Sequence, residues 1–133
     1  MRKEIFIVTN NKLVIDEYPA LEVLGDLDAV FLKVRDLVHE GYIIMTHPLS
    51  GSIKPHETEF KSLVLAKGDG TMNLDSLHLI ENAITTSAKF KKPNRDYGNE
   101  SERIKNDFMT IDYSLLETGL EGLGTTLYQL VDI

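Results

Sequence analysis

The chain has 133 residues, of which 42% are hydrophobic and 26% are charged, and its formal net charge is -7. This balance indicates one small globular domain covering residues 1–133 and excludes a disordered or fibrous chain. The negative charge disfavours nucleic acid and anionic membranes as partners. The absence of cysteine excludes disulfides and thiolate-based metal sites.

The first strand is predicted over residues 4–8 (EIFIV), because an uninterrupted apolar and β-branched run is typical of a strand buried on both faces. This run is too short for an export signal, and no apolar run reaches the roughly 20 residues of a membrane span. We therefore expect a cytoplasmic protein. A short helical turn over residues 12–18 and a weak second strand over residues 20–24 follow.

The helix with the clearest signal covers residues 26–39. Asp26 can act as its N-cap, and apolar residues recur at three- and four-residue steps to form one stripe. Residues 42–45 (YIIM) then predict another buried strand. A strand, a helix and a strand in this order indicate a right-handed βαβ unit.

The remainder of the chain contains further elements of both kinds. We expect a strand over residues 61–66, a helix over residues 74–90, a polar loop over residues 89–101, helical segments over residues 102–109 and 114–123, and an edge strand or a helical continuation over residues 125–133. The predicted fold class is therefore α/β, a mostly parallel, Rossmann-like three-layer sheet with helices on both faces.

Two predicted strands end in polar clusters. The first strand ends at Thr9, Asn10 and Asn11, and the strand over residues 42–45 is followed by His47. In open parallel sheets, ligands bind beyond the carboxyl ends of the strands. If the two strands are parallel neighbours, both clusters lie at one rim of the sheet, and we expect the ligand there.

The segment after His47 could hold an anion. Gly51 stands between Ser50 and Ser52, which allows backbone N–H groups to approach an anion closely, and Lys54 adds a positive charge. Phosphate or a carboxylate would suit this segment. An ordinary polar turn is the alternative, because the phosphate-loop and dinucleotide-loop spacings are both missing.

The same polar residues also have structural alternatives. The ring of His47 could transfer protons or simply hold the loop, and the asparagines could simply end the strand. The nine-residue step from His47 to His56 matches no known metal-ligand spacing, so we expect no metal and no other cofactor. Catalytic residues are not identifiable, since no known catalytic motif is present.

Four segments together resemble the GrdX family: IVTNNKLV, KVRDLVHEG, THPLSGSIKPHETEFKSLVL and LDSLHLIENAI. The most specific piece is HPLSGSIKPHET, and a weaker likeness extends into FMTIDYSLLETGL. The resemblance implies a protein encoded beside components of glycine, sarcosine or betaine reductase in amino-acid-fermenting anaerobes. It supplies no catalytic residue.

We therefore expect an accessory or regulatory protein of that reductase system, with reductase components as partners and without enzymatic activity of its own. The alternative is a protein or enzyme that binds a small phosphate or carboxylate at the strand-end rim. That site would consist of Asn10, Asn11, His47, Ser50, Gly51, Ser52 and Lys54. A homodimer is left open by the sequence, and so is the identity of any ligand.

Overall fold

The computed structural model describes residues 2–49, 58–90 and 98–133. Within these residues the chain forms five strands, four α-helices and one 3₁₀ turn, Gly98–Glu100. In chain order the elements are β1 (Lys3–Thr9), α1 (Lys12–Glu17), β2 (Ala20–Glu22), α2 (Leu27–His39), β3 (Ile43–Ile44), β4 (Ser62–Ala66), α3 (Leu74–Lys89), α4 (Ser101–Leu123) and β5 (Tyr128–Leu130). No helix of the described residues is long and apolar enough to cross a membrane.

Strand β1 is the centre of a mixed sheet. On one side it pairs antiparallel with β4, from Ile5 opposite Ala66 to Thr9 opposite Ser62. On its other side it pairs in parallel with β2 through its carboxyl half and with β5 through its amino half. Strand β3 pairs antiparallel with β4. Strands β1, β2, β3 and β5 therefore run in one direction, and β4 runs in the opposite direction.

The prediction of a small α/β domain with helices on both faces is confirmed, but the mostly parallel, Rossmann-like sheet is wrong. The antiparallel pairs of β4 account for the larger share of the sheet. All five residues of β4 are buried, and such an apolar run has the same pattern in either direction. The described part of the connection from β3 to β4 contains no helix, whereas a parallel crossover usually needs one.

The alternation of side chains along β1 and β4 builds two cores. Phe6 and Leu63 face the layer formed by α2 and α3. Ile7 and Val64 face the opposite layer, which receives Val14 from α1 and Leu116 from α4. Period-two alternation in strands buried on both faces produces this arrangement, and it leaves the ends of the sheet between two helical layers.

Helix α2 begins as the sequence predicts. Asp26 is its N-cap, and the Asp26 carboxylate accepts a hydrogen bond of 3.1 Å from the Ala29 amide. This bond satisfies one of the amide groups that the first turn of a helix leaves without an intrahelical partner.

The sequence predicted two helical segments, over residues 102–109 and 114–123. The structure has one continuous helix, α4, over residues 101–123. Gly119 lies inside it, and a Cβ at Gly119 would lie 3.1 Å from Cγ2 of Thr46. At the carboxyl end of α1, the Tyr18 hydroxyl donates a hydrogen bond of 3.3 Å to the Glu117 carboxylate of α4.

Residues 125–133 contain the short strand β5. An edge strand was one of the two alternatives that the sequence predicted for this segment.

The turns before β3 and after β4 approach each other closely. A Cβ at Gly68 would lie 2.2 Å from the carbonyl oxygen of Gly41, a distance that atoms do not tolerate without a backbone shift. Gly41 itself has φ +102°, a conformation that favours glycine. These glycines allow the two backbones to meet at the edge of the sheet opposite the predicted rim.

Candidate functional site

The carboxyl ends of β1 and β3 lie at the same edge of the sheet, although the two strands are not the parallel neighbours that the sequence predicted. Strands β1 and β3 run in the same direction with β4 between them. The carboxyl ends of β1 and β3 and the amino end of β4 therefore lie at one edge of the sheet. This edge brings residues after β1 together with Lys61 and Ser62, which the sequence analysis did not assign to a site.

Asn10 connects the end of β1 to the start of β4. Its side-chain amide donates hydrogen bonds to the carbonyl oxygens of Gly25 at 3.0 Å and Glu59 at 2.6 Å. Its side-chain oxygen accepts a bond of 2.9 Å from the Lys61 amide. These three contacts fix the backbone on both sides of the rim.

Asn11 is fully buried, and its side chain makes three hydrogen bonds. Its side-chain oxygen caps α1 by accepting from the Leu13 amide at 3.0 Å. Its side-chain nitrogen donates to the Met109 carbonyl at 2.9 Å and to Oδ2 of Asp112 at 3.0 Å. Asn11 therefore holds α4 against the rim.

The remaining predicted residues divide into one that is described and four that are not. His47 is exposed, and its Nδ1 accepts a hydrogen bond of 3.1 Å from the Leu49 amide. Ser50, Gly51, Ser52 and Lys54 lie outside the described residues, so the anion-binding prediction for that segment stays a prediction. Asn10, Asn11 and His47 also stay predicted ligand contacts.

Asp112 of α4 is the centre of a buried polar network. Only 6% of this residue is exposed. Its Oδ1 accepts from the Ser62 amide at 3.0 Å, and its Oδ2 accepts from the Ser62 hydroxyl at 2.7 Å and from Asn11. Because the Ser62 hydrogen points to Asp112, the Thr9 hydroxyl donates to the Ser62 oxygen at 2.7 Å. The network joins β1, β4 and α4 at the rim.

Lys61 is the unusual residue of this rim. It is 9% exposed, and its ammonium makes no hydrogen bond or ion pair with any residue of the described part of the chain. Burial lowers the pKa of this ammonium, and the Asp112 carboxylate raises it by a smaller amount. The two side chains do not form a direct ion pair. A buried charge without a partner is costly to folding, so its presence calls for an explanation.

Two small cavities adjoin Lys61 and Asp112. The first has a volume of about 30 Å³. Its apolar wall comes from α2, from α4, from the segment after β3 and from the segment before β4: Leu27, Phe31, Leu49, Phe60, Ile111 and Leu115. The second has a volume of about 40 Å³ and is bounded also by Thr46, Ser62, Leu116 and Gly119. Because a water needs about 10–15 Å³ of such space, each cavity holds only a few atoms.

A family model described as GrdX-like protein matches residues 6–121. The chain belongs to this family. No curated protein matches the chain, and no solved structure does. The part that matches the GrdX-like family contains every residue of the rim, from Thr9 to Asp112.

Within residues 2–49, 58–90 and 98–133 of this GrdX-like chain, no group of three histidine or acidic side chains is arranged to hold a metal ion. The described rim instead offers one cation, one anion and several hydrogen-bonding groups. This combination suits recognition of a small polar molecule by charge and hydrogen bonds.

The sequence analysis did not identify Lys61 and Asp112, the two charged residues that line the cavities of the described rim. A lysine at the start of an apolar strand is most often solvated. Asp112 lies about 50 residues further along the chain, in a helix. The available signal was the aspartate itself, which stands inside an apolar stretch of α4 (FMTIDYSLL). A buried acidic residue in such a stretch indicates a partner elsewhere in the fold.

Proposed function

We propose that this protein is an accessory or regulatory protein of the glycine, sarcosine and betaine reductase system, and that it works by binding a small carboxylate at Lys61. The binding part of the proposal is carried by one observation, the buried Lys61 ammonium without a partner in the described residues. The protein would act in the cytoplasm as a binding protein without a reaction of its own.

A carboxylate would remove the energetic cost of this ammonium. Charge-assisted hydrogen bonds between an ammonium and a carboxylate are among the stronger ones in proteins. The cavity beside Lys61 holds only a few atoms, which suits a carboxylate group. Phosphate fits less well, since it would bring up to two negative charges next to Asp112.

The association with the reductase rests on the family resemblance, which implies a protein encoded beside reductase components. The exposed apolar side chains of Ile111 and Leu115 border the first cavity. A partner that covered this border would therefore also affect access to Lys61, which would couple ligand binding to association.

Thermal unfolding with added acetate tests the binding part. Acetate should raise the unfolding midpoint of the wild-type protein in a saturable manner, and a ligand at 100 times its Kd adds about 2.7 kcal/mol of stability. Lys61→Met should abolish the shift. Lys33→Met is the matched control, because Lys33 is an exposed lysine on α2, and it should respond to acetate as the wild type does. A shift that survives in Lys61→Met would place the carboxylate elsewhere.

Co-purification tests the accessory part. Tagged protein should retain reductase components under anaerobic conditions, and the retained amount should change when the carboxylate is added. Failure to retain any component, with all of them present and folded, would contradict the association with the reductase while leaving the binding site untouched.

A further inference from the structure

The cavities contain a second charge that an acetate ion would not use. Asp112 lines both of them together with Lys61 and Leu115. The two charged side chains are close enough for the Asp112 carboxylate to affect the Lys61 ammonium, yet they form no direct ion pair. The site thus presents a positive and a negative group to the same small space.

We propose that the ligand is a small zwitterion, an α-amino acid with little or no side chain, whose carboxylate pairs with Lys61 and whose ammonium pairs with Asp112. This assignment rests on the proposed function and specifies the class of carboxylate that the site takes.

Charge balance favours a zwitterion over a simple anion. A carboxylate without a positive group would face the Asp112 carboxylate at short range in an apolar space, where like charges repel strongly. A simple amine would face Lys61 in the same way. A zwitterion opposes each protein charge with one of the opposite sign and leaves the site neutral, as it is without the ligand.

Asp112 also has room for one more donor. A carboxylate has about four acceptor positions, two on each oxygen. Oδ2 accepts from Ser62 and Asn11, whereas Oδ1 accepts only the Ser62 amide within the described residues. Within residues 2–49, 58–90 and 98–133, no donor therefore occupies the second position on Oδ1, which can accept from a ligand ammonium. The carboxylate is held in place by its three existing bonds, so a ligand would not have to order it.

The size of the cavities restricts the side chain of the amino acid. Cavities of about 30 and 40 Å³ accommodate only a few atoms, since a cavity of about 10–15 Å³ already holds one water. Gly119 and Thr46 lie close together at the wall of the second cavity, where a Cβ on Gly119 would lie 3.1 Å from Cγ2 of Thr46. Glycine fits this space best, and a large aromatic side chain does not fit.

Calorimetric titration of the full chain with glycine and with propionate tests the assignment. Propionate has the shape of glycine but carries a methyl group in place of the ammonium. Glycine should bind at least about tenfold more tightly than propionate, a difference of about 1.4 kcal/mol. Phenylalanine should not bind, and neither should methylammonium.

Two variants locate the charges. Lys61→Met should abolish binding of both glycine and propionate. Asp112→Asn should reduce glycine binding to the level of propionate, and the wild-type comparison of the two ligands decides the question if this variant does not fold. Equal affinity of the wild type for glycine and propionate would overturn the zwitterion assignment while the proposed carboxylate site stands. Failure of both ligands to bind would overturn the proposed function together with it.

Discussion

Replacing Lys61 with methionine should stabilise the protein in the absence of ligand. Lys61 is 9% exposed. Burial lowers the pKa of its ammonium from the usual 10.5, and the Asp112 carboxylate opposes this effect only in part. The charged form is therefore less favourable in the folded protein than in the unfolded chain. Methionine keeps a flexible apolar side chain of comparable length and removes the charge.

The expected gain follows from the cost of a buried group without a partner. Such a group costs about 1–3 kcal/mol, and the attraction of Asp112 offsets part of the additional cost of a full charge. We therefore expect Lys61→Met to raise the free energy of unfolding by about 1–3 kcal/mol at neutral pH. Each kcal/mol corresponds to about 3–5 °C in the unfolding midpoint for a chain of this length.

The gain should decrease at alkaline pH. The unfolded wild-type chain holds the Lys61 proton up to about pH 10.5, whereas the folded chain releases it at a lower pH. The destabilising charge is fully present below the folded pKa and disappears as the pH rises through the window that ends at 10.5. Over that window the unfolded state binds more protons, so the wild type gains stability relative to Lys61→Met.

Urea unfolding at neutral and alkaline pH measures both effects. Lys33→Met is the control, because Lys33 is exposed and lysine and methionine have similar helix propensities. It should change the free energy of unfolding by no more than about 0.5 kcal/mol. A Lys61→Met variant that is less stable than wild type at neutral pH, or whose advantage does not change with pH, would refute the reasoning.

Three further substitutions, at Asp112, Gly68 and Tyr18, test other contacts, and substitutions at Asp36 and Gly122 are the controls for the first two. Asp112→Asn should lower the free energy of unfolding by about 2–4 kcal/mol in urea, because an amide brings a donor to a position that accepts three hydrogen bonds; the exposed Asp36→Asn is its control. Gly68→Ala should destabilise by more than about 1 kcal/mol because of the 2.2 Å approach to a carbonyl oxygen. Gly122→Ala meets no atom within 4 Å and should be neutral or stabilising by up to about 1 kcal/mol. Tyr18→Phe should remove a phenol that ionises late in an absorbance titration, because burial and the neighbouring phenol and carboxylate raise the pKa of Tyr18 to about 12.

Each of these expectations has a result that contradicts it. Equal losses in Asp112→Asn and Asp36→Asn would show that the Asp112 network contributes little. A Gly68→Ala variant as stable as Gly122→Ala would contradict the close approach of the two turns. The un-ionised Tyr18 phenol stabilises the fold fully below pH 10.0, and this contribution is lost as the pH rises to about 12. A Tyr18 phenol that ionised near pH 10.0 would contradict the raised pKa.

The apolar pattern was sufficient to predict the positions of the strands but not their directions. The run over residues 61–66 indicates a strand buried on both faces, and β4 is such a strand. Its direction depends on the path of the chain from β3 to β4, which no hydrophobic period encodes. The carboxyl ends of β1 and β3 still lie at one edge of the sheet, because reversing β4 does not change the common direction of these two strands.

Helix α4 shows a second reason for the errors. Glycine weakens a helix in isolation by about 0.5–1 kcal/mol, so Gly119 and Gly122 weakened the helix prediction for residues 114–123. Packing outweighs that cost here, since Leu116 and its neighbours bury the helix against β1 and β4. The same packing places Asp112 at the rim, and for this reason the proximity of Asp112 to Lys61 could not be predicted from either local sequence.

The most direct test of the Lys61 site is the titration of Lys61 itself, followed by NMR in protein whose lysines carry carbon-13 at Cε. The resonance that Lys61→Met removes identifies Lys61. We expect this resonance to titrate below the usual lysine pKa of 10.5, and we expect saturating glycine to move its midpoint upward, because a bound carboxylate stabilises the ammonium. A Lys61 resonance that titrates at 10.5 and does not respond to glycine would contradict the proposed site.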